Sequence, residues 1–148
     1  GSVPQIKTDV PDIVEDLWED YHLSMSEFHH QKASLAMLSL VNFGNKLIAD
    51  LRPGDLAKIP EKQKELDIAL RRFLKILVHL AFMICPLMPE KAEIIMKSLG
   101  LKKYLNTQGL SLLQKNLLLS KTKQIKKPDL LFSFIDEEKC WKIRGEKI

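Results

Sequence analysis

Residues 66–101 read LDIALRRFLKILVHLAFMICPLMPEKAEIIMKSLGL, and this stretch decides the fold. Between Phe73 and Cys85 every side chain is apolar except those of Lys75 and His79. A helix that is apolar on nearly all sides is buried at the centre of a protein or spans a membrane. Charged residues in the opening turns and prolines at the end do not fit a membrane span. We therefore predict the central helix of an all-α bundle.

Within this helix the polar side chains recur three or four residues apart and form one narrow stripe. The stripe consists of Arg71, Arg72, Lys75 and His79. We therefore expect the remaining positions to face the core, and we expect His79 to be a hydrogen-bonded core or edge histidine. The side chains predicted to be buried are Phe73, Leu77, Leu80, Ala81 and Ile84.

Prolines and a glycine set the end of this helix and the length of the next one. Pro86 disfavours helical geometry at Cys85, whereas Pro89 followed by Glu90 suits the first turn of a new helix. Gly100 is a typical helix terminator. The pattern predicts a short helix over residues 90–98.

Two earlier helices are predicted from apolar spacing. Ile13, Leu17, Tyr21 and Met25 recur every four residues, which favours a helix over about residues 11–26. Trp18 lies beside this stripe, and we expect it to pack between helices. A second apolar stripe predicts a long helix over about residues 29–51. With the central helix and its successor, these give at least four helices and no sheet.

Length and composition are those of one globular domain. The chain has 148 residues, 45% of them hydrophobic and 28% charged. A chain of this size can bury a sufficient core without disulfides or metal ions. Cys85 and Cys140 are the two cysteines, and they are far apart, so we expect free thiols in a reducing, cytoplasmic compartment. We interpret residues 1–2, Gly-Ser, as an expression scar and residues 3–148 as a single domain.

The charge is unevenly distributed along the chain. Residues 1–99 carry 12 basic and 14 acidic residues, a net of −2, whereas residues 100–148 carry 11 and 5, a net of +6. Four lysines crowd the segment SKTKQIKKP, namely Lys121, Lys123, Lys126 and Lys127. This segment is either a solvated loop or a surface that meets phosphates.

The end of the second helix resembles methionyl-tRNA synthetases. Residues 41–58 read VNFGNKLIADLRPGDLAK. In that family an Asn and a basic residue are followed by a hydrophobic turn, acids, Lys-Pro-Trp and a Leu-Ala-Lys-like segment. The matching residues are Asn45, Lys46, Pro53, Leu56, Ala57 and Lys58, and Arg52 is a conservative replacement before the proline.

One position departs from the family pattern. Gly54 stands where the family has the tryptophan on which an anticodon base stacks. A stacked base is worth roughly 1–3 kcal/mol, so its loss weakens the anticodon contact or moves it to another group. The RNA-binding residues that the resemblance implies are Asn45, Lys46, Arg52, Pro53 and Gly54.

Two further stretches are similar to class I aminoacyl-tRNA synthetases. Residues 86–101 resemble the proline break and terminal Leu-Gly with which these enzymes close their helical domains. Residues 127–136, KPDLLFSFID, resemble the closing run of the methionyl enzyme, and a terminal helix is expected after Asp136.

The resemblance implies an all-α helical bundle of the class I synthetase anticodon-binding type. Its expected partners are the anticodon stem-loop of tRNA(Met) and the catalytic domain of the same protein, with no membrane partner. In that family methionine is joined to tRNA with ATP. The resemblance implies no catalytic residue, cofactor or metal in this domain. ATP would bind to the absent catalytic domain, and whether that domain also holds a zinc ion is left open.

The residues themselves leave alternatives open. An Asn amide offers donors and an acceptor to a base edge, and an Arg guanidinium offers a planar fork to a base or phosphate. Equally, Asn45 is explained by a cap or an inter-helix bridge, and Arg52 by solvation. At the level of function, the alternatives are the tail of another class I synthetase, such as the leucyl or cysteinyl enzyme, and a helical protein-interaction module without RNA.

Overall fold

The structure, a computed structural model, describes residues 13–114, 117–121, 125–127 and 131. Within these residues it is built from helices, with no strand, so the all-α prediction is confirmed. The α-helices are α1 Ile13–Ser26, α2 His30–Leu51, α3 Pro53–Leu56, α4 Gln63–Ile84, α5 Pro89–Ser98 and α6 Thr107–Gln114. Single 3₁₀ turns lie at Pro60–Lys62, Lys102–Tyr104 and Leu119–Lys121.

The helix α4 is the centre of the bundle, as the sequence predicts. It packs against α1, α2, α3 and α5, and its buried side chains form the largest part of the core. Ala81 and Ile84 are buried as predicted, and Leu80 is partly buried against the core. The fully enclosed large side chains are Leu40, Met83, Met96, Leu101, Leu118, His79, Val14 and Val78.

His79 is the buried polar side chain of α4 and behaves as a core histidine. Its ring is 1% exposed and stands edge-on to Trp18, with the ring centroids 5.3 Å apart. Its Nδ1 lies 2.7 Å from the carbonyl oxygen of Lys75, one turn earlier, to which it donates a hydrogen bond. Burial lowers the pKa of the His79 imidazole. Because the charged form is disfavoured, the ring is a neutral packing element.

A tyrosine from α1 caps the end of α4. Pro86 has no N–H, and the N–H of Leu87 bonds to the carbonyl of Ile84, so the carbonyl of Met83 lacks its usual partner in the next turn. The hydroxyl of Tyr21 donates to this carbonyl at 2.6 Å, across 62 residues of sequence. The proline break therefore supplies the acceptor that ties α1 to the end of α4.

The start and stop of α5 follow their predicted signals. Pro89 occupies the first turn, one residue before the predicted start. At the other end Gly100 has φ 69°, and the N–H of Leu101 reaches back to the carbonyl of Met96 at 2.7 Å. This is a Schellman motif, which needs a left-handed residue at the position of the glycine. By contrast, Cys85 keeps helical dihedrals (φ −53°, ψ −43°), so the prediction that Pro86 would displace it from helical geometry was wrong.

The prediction that Leu77 is buried was also wrong, since Leu77 is 39% exposed and Leu70 is 45% exposed. These two residues, with the half-buried Leu66 and Phe73, recur as i, i+4, i+7 and i+11 and form one stripe, which we call the outer stripe of α4. The polar residues Arg71, Arg72, Lys75 and His79 lie instead on the sides turned toward the bundle. Lys75 forms an ion pair with Glu15. By contrast, His79 is buried, and Nε and one Nη of Arg71 and Nε of Arg72 are enclosed without an acceptor among the described residues.

Parts of the sequence-based predictions fall outside the described residues. These are the first two residues of the predicted helix one, most of the closing run at residues 127–136, and the terminal helix expected after it. Among the described helices, none is long and apolar enough to cross a membrane.

A pair of leucine substitutions tests the position of the core. Leu40 is fully buried, so Leu40→Ala leaves a cavity and is expected to lower the free energy of unfolding by about 2–5 kcal/mol. The matched control is Leu77→Ala on the outer stripe, which is expected to cost less than about 1 kcal/mol. Urea denaturation measures both values, and equal losses in the two variants would contradict the placement of α4.

Candidate nucleic-acid interface

The last three turns of α2 carry two of the predicted RNA-binding residues on its outer surface. Asn45 and Lys46 are both exposed. The Asn45 amide makes no hydrogen bond to another described residue, so within the described part of the chain it neither caps a helix nor bridges two helices. Its donors and its acceptor are therefore available to a ligand.

Arg52 forms the corner between α2 and α3. Its backbone is left-handed, with φ 42° and ψ 63°, and its N–H bonds to the carbonyl of Ile48. Its own carbonyl accepts from the N–H groups of Asp55 at 2.8 Å and Leu56 at 3.2 Å. A left-handed conformation in a residue other than glycine costs on the order of 1 kcal/mol or more, so it persists because both helices hold it. We call Arg52, Pro53 and Gly54 the corner.

Pro53 and Gly54 begin α3. Pro53 occupies the first turn, where its missing N–H is harmless. A Cβ built on Gly54 meets no atom within 4 Å, and Gly54 does not have a positive φ. The position therefore has room for a side chain, and the missing aromatic ring reflects the residue type and not a steric restriction of the backbone.

A cavity of about 500 Å³ lies under the corner, between the end of α2, α3 and the first turns of α4. Its lining is partly apolar and partly charged. The lining residues are Asp50, Leu51, Arg52, Asp55, Leu56, Ile59, Lys62, Glu65, Ile68, Ala69 and Arg72.

Two of the acids in this cavity have lysine partners. Lys58 Nζ lies 3.0 Å from the Asp55 carboxylate, and the hydrogen bond and charge of Lys58 lower the pKa of that carboxyl. Lys62 Nζ lies 3.9 Å from Glu65. These exposed pairs contribute little stability, but they balance the charge of the two acids.

The arginines of the cavity have no such partners. Neither Arg52 nor Arg72 makes an ion pair or side-chain hydrogen bond with a described residue. Moreover, Nε of Arg72 is enclosed without an acceptor. The charge of Arg52 does act on Asp55, whose pKa it helps to lower. The cavity therefore contains two guanidinium groups that make no hydrogen bond to a described residue.

The five predicted site residues are brought together only in part. Arg52 lines the cavity, whereas Pro53 and Gly54 belong to the corner beside it. Asn45 precedes Arg52 by seven positions, which is two turns or about 10 Å along the helix and nearly the same face. Lys46 is the next residue in the chain and lies about 100° around the helix axis from Asn45. The sequence-based prediction missed Arg72; its signal was a pair of arginines opening an otherwise apolar helix.

The lysine-rich segment lies apart from the corner in sequence and is only partly described. Lys121, Lys126 and Lys127 are exposed, and Lys123 falls outside the described residues. The backbone N–H of Lys126 donates to the carbonyl of Ser98 at 2.8 Å, which fixes this stretch beside the end of α5. Both predictions for it, solvated loop or phosphate surface, stay open.

Comparison with known proteins identifies a family. Residues 3–145 match the model described as the anticodon binding domain of methionyl tRNA ligase. The match covers nearly the whole chain, including the corner, the cavity and the lysine-rich segment. No solved structure matches the chain.

Individual relatives are similar over most of the chain. The methionine–tRNA ligase of Methanopyrus kandleri is 27% identical over 148 residues, which is 98% of this chain and 21% of the relative. That of Fusobacterium nucleatum is 28% identical over 70% of this chain and 16% of its own length. That of Methanococcoides burtonii is 23% identical over 94% of this chain and 20% of its own length. The chain thus spans about a fifth of the curated relatives it matches.

The open space at Gly54 leads to a prediction about the corner. We expect Gly54→Trp to fold normally and to change the free energy of unfolding by less than about 1 kcal/mol, because its Cβ meets nothing. The contrasting variant is Gly109→Ala, whose Cβ would lie 1.6 Å from the carbonyl oxygen of Tyr104 and must force a shift. That clash is expected to cost about 1–3 kcal/mol. Thermal or urea denaturation measures both, and a strongly destabilised Gly54→Trp would contradict the geometry of the corner.

Proposed function

The chain belongs to the family of anticodon-binding domains of methionyl tRNA ligases, and from that membership we propose that it recognises the anticodon stem-loop of tRNA(Met). The rest of such a ligase would attach methionine to the tRNA with ATP, in the cytoplasm. This domain would orient the tRNA toward that catalytic part. We assign no catalytic, cofactor or metal-binding role to its residues, and a zinc ion, where the ligase has one, would belong to the catalytic part.

The single observation that supports anticodon recognition best is the free amide of Asn45 on the exposed face that leads to the corner. An amide that already bonded within the protein would have fewer donors or acceptors to offer a base. This one keeps two donors and one acceptor in water, about two turns from a guanidinium. Unstacked bases of an RNA loop are recognised by such groups through their Watson–Crick edges.

The corner supplies the second half of the proposal. Arg52 offers a planar cation that stacks on a base or binds a phosphate. Gly54 offers no ring, so the stacking contribution that an aromatic residue gives is missing here. We therefore expect base recognition that depends on hydrogen bonds and charge, with only modest preference for CAU.

A titration of RNA stem-loops tests this proposal. A CAU stem-loop and a scrambled loop on the same stem are titrated against the native chain, Asn45→Ala and Gly54→Trp. Asn45→Ala is expected to reduce the preference for CAU about fivefold, the loss of about 1 kcal/mol of hydrogen bonding. Gly54→Trp is expected to strengthen CAU binding by about 1–3 kcal/mol, the worth of one stacked base.

The matched control is Gln31→Ala, because Gln31 is exposed at the opposite end of α2, about 20 Å from Asn45. This variant should bind both RNAs like the native chain. If Asn45→Ala keeps the native preference and Gly54→Trp folds yet gains nothing, the corner is not an anticodon site. A helical protein-interaction module would then be the better description of the domain.

A further inference from the structure

The cavity under the corner contains more cationic donors than the protein itself satisfies. We propose that it binds a backbone phosphate of the RNA whose bases the corner reads, held between Arg52 and Arg72. This inference rests on the proposed function and adds a second kind of contact to it. Phosphate contacts set affinity and register, whereas base contacts set specificity.

The position of Arg72 is the first argument. It lies on α4 and lines the cavity. Its Nε is enclosed without an acceptor, as are Nε and one Nη of Arg71, but the Nη groups of Arg72 are not enclosed and make no hydrogen bond to a described residue. A phosphate in the cavity can accept from these Nη groups, and it would also offset the charge of a guanidinium whose Nε lacks a partner. Because a guanidinium presents parallel N–H groups, a phosphate with two free oxygens matches it in both geometry and charge.

Arg52 contributes the second guanidinium, which comes to the same cavity from the corner. Its left-handed backbone is bonded to both flanking helices, so the base of its side chain is fixed relative to α3. It forms no ion pair or side-chain hydrogen bond with a described residue, although its charge acts on Asp55. Two guanidinium groups thus line one space, an arrangement that suits a tetrahedral anion.

The acids of the cavity do not cancel these two charges. Asp55 and Glu65 are paired with Lys58 and Lys62. Asp50 is the lining carboxylate with no partner among the described residues, and it is exposed. Arg52 acts electrostatically on Asp55 as well, but neither guanidinium forms an ion pair with a described residue. Asp50 should weaken anion binding.

The size and remaining lining fit a nucleotide better than a free ion. A volume of about 500 Å³ lies within the range of roughly 300–1,000 Å³ typical of small-ligand sites. Apolar side chains, including Leu51, Leu56 and Ile59, complete the wall and suit a ribose beside the phosphate. The corner above the cavity would hold the attached base.

Arg72→Ala tests the site, with affinity measured for the CAU and scrambled stem-loops over a range of salt concentrations. We expect at least a fivefold loss for both RNAs at low salt, with the ratio between them unchanged. The slope of log affinity against log salt should fall by about 0.7–0.9, the loss of one phosphate contact. Asp50→Asn should tighten both RNAs.

The matched control is Arg71→Ala, because Arg71 is adjacent on α4 but does not line the cavity. It should keep the native affinity and salt slope.

Modified RNA tests the site in the native chain, without relying on a protein variant that must fold. Single methylphosphonate substitutions, each of which neutralises one phosphate, are scanned through the loop and titrated against the native chain. One position should reduce the salt slope by the same amount, and in Arg72→Ala that position should cost nothing further.

The outcomes separate this inference from the proposed function. A native salt slope in Arg72→Ala together with a retained CAU preference overturns the phosphate site and leaves anticodon recognition standing. A reduced slope in Arg72→Ala without any native preference for CAU supports the phosphate site and overturns anticodon recognition. If no methylphosphonate position affects the native chain, the cavity does not bind the RNA backbone.

Discussion

The packing of α2 against α4 is the constraint on which the candidate site depends. Gly44 is buried in α2, and a Cβ there would lie 3.4 Å from the Cγ2 of Ile76, so α2 and α4 are in contact at this level. Beyond the contact α2 runs on to the corner, and α4 extends back beneath it to Arg72 and Ala69. The cavity is the space between α2 and α4 just beyond this contact, beside α3.

The position of α4 is in turn fixed from α1. The hydroxyl of Tyr21 bonds to the Met83 carbonyl, and the ring of Trp18 packs against buried His79. Both contacts lie in the half of α4 that is remote from the corner. The first turns of α4, including Arg72, lie at the cavity beside α2 and α3, against which α4 also packs. The site is therefore located where two well-packed helices meet an irregular connection, a common location for binding residues.

The sequence predicts helix ends well, because they depend on residues that are neighbours in the chain. The prolines and Gly100 set the bounds of α5 to within a residue, because a missing N–H or a left-handed residue acts on its immediate neighbours. The orientation of α4 was not predictable in the same way. Nearly all its positions are apolar, so the spacing of polar residues does not show which side of α4 has no helix packed against it. The prediction therefore placed Leu77 in the core. Likewise, the sequence shows a pair of arginines but could not select Arg72 over Arg71, since only the fold shows that Arg72 lines the cavity.

The most direct test of the central claim, that the corner contacts the anticodon, is a nuclear magnetic resonance titration of the ¹⁵N-labelled chain with the CAU stem-loop. We expect the largest shift changes for the Asn45 side-chain amide, the backbone N–H groups of residues 45–56 and the Arg72 Nε–H. The scrambled loop should perturb the Arg72 signal but shift the Asn45 amide much less. Changes confined to the lysine-rich segment, with Asn45 and the corner unaffected by either RNA, would contradict the account.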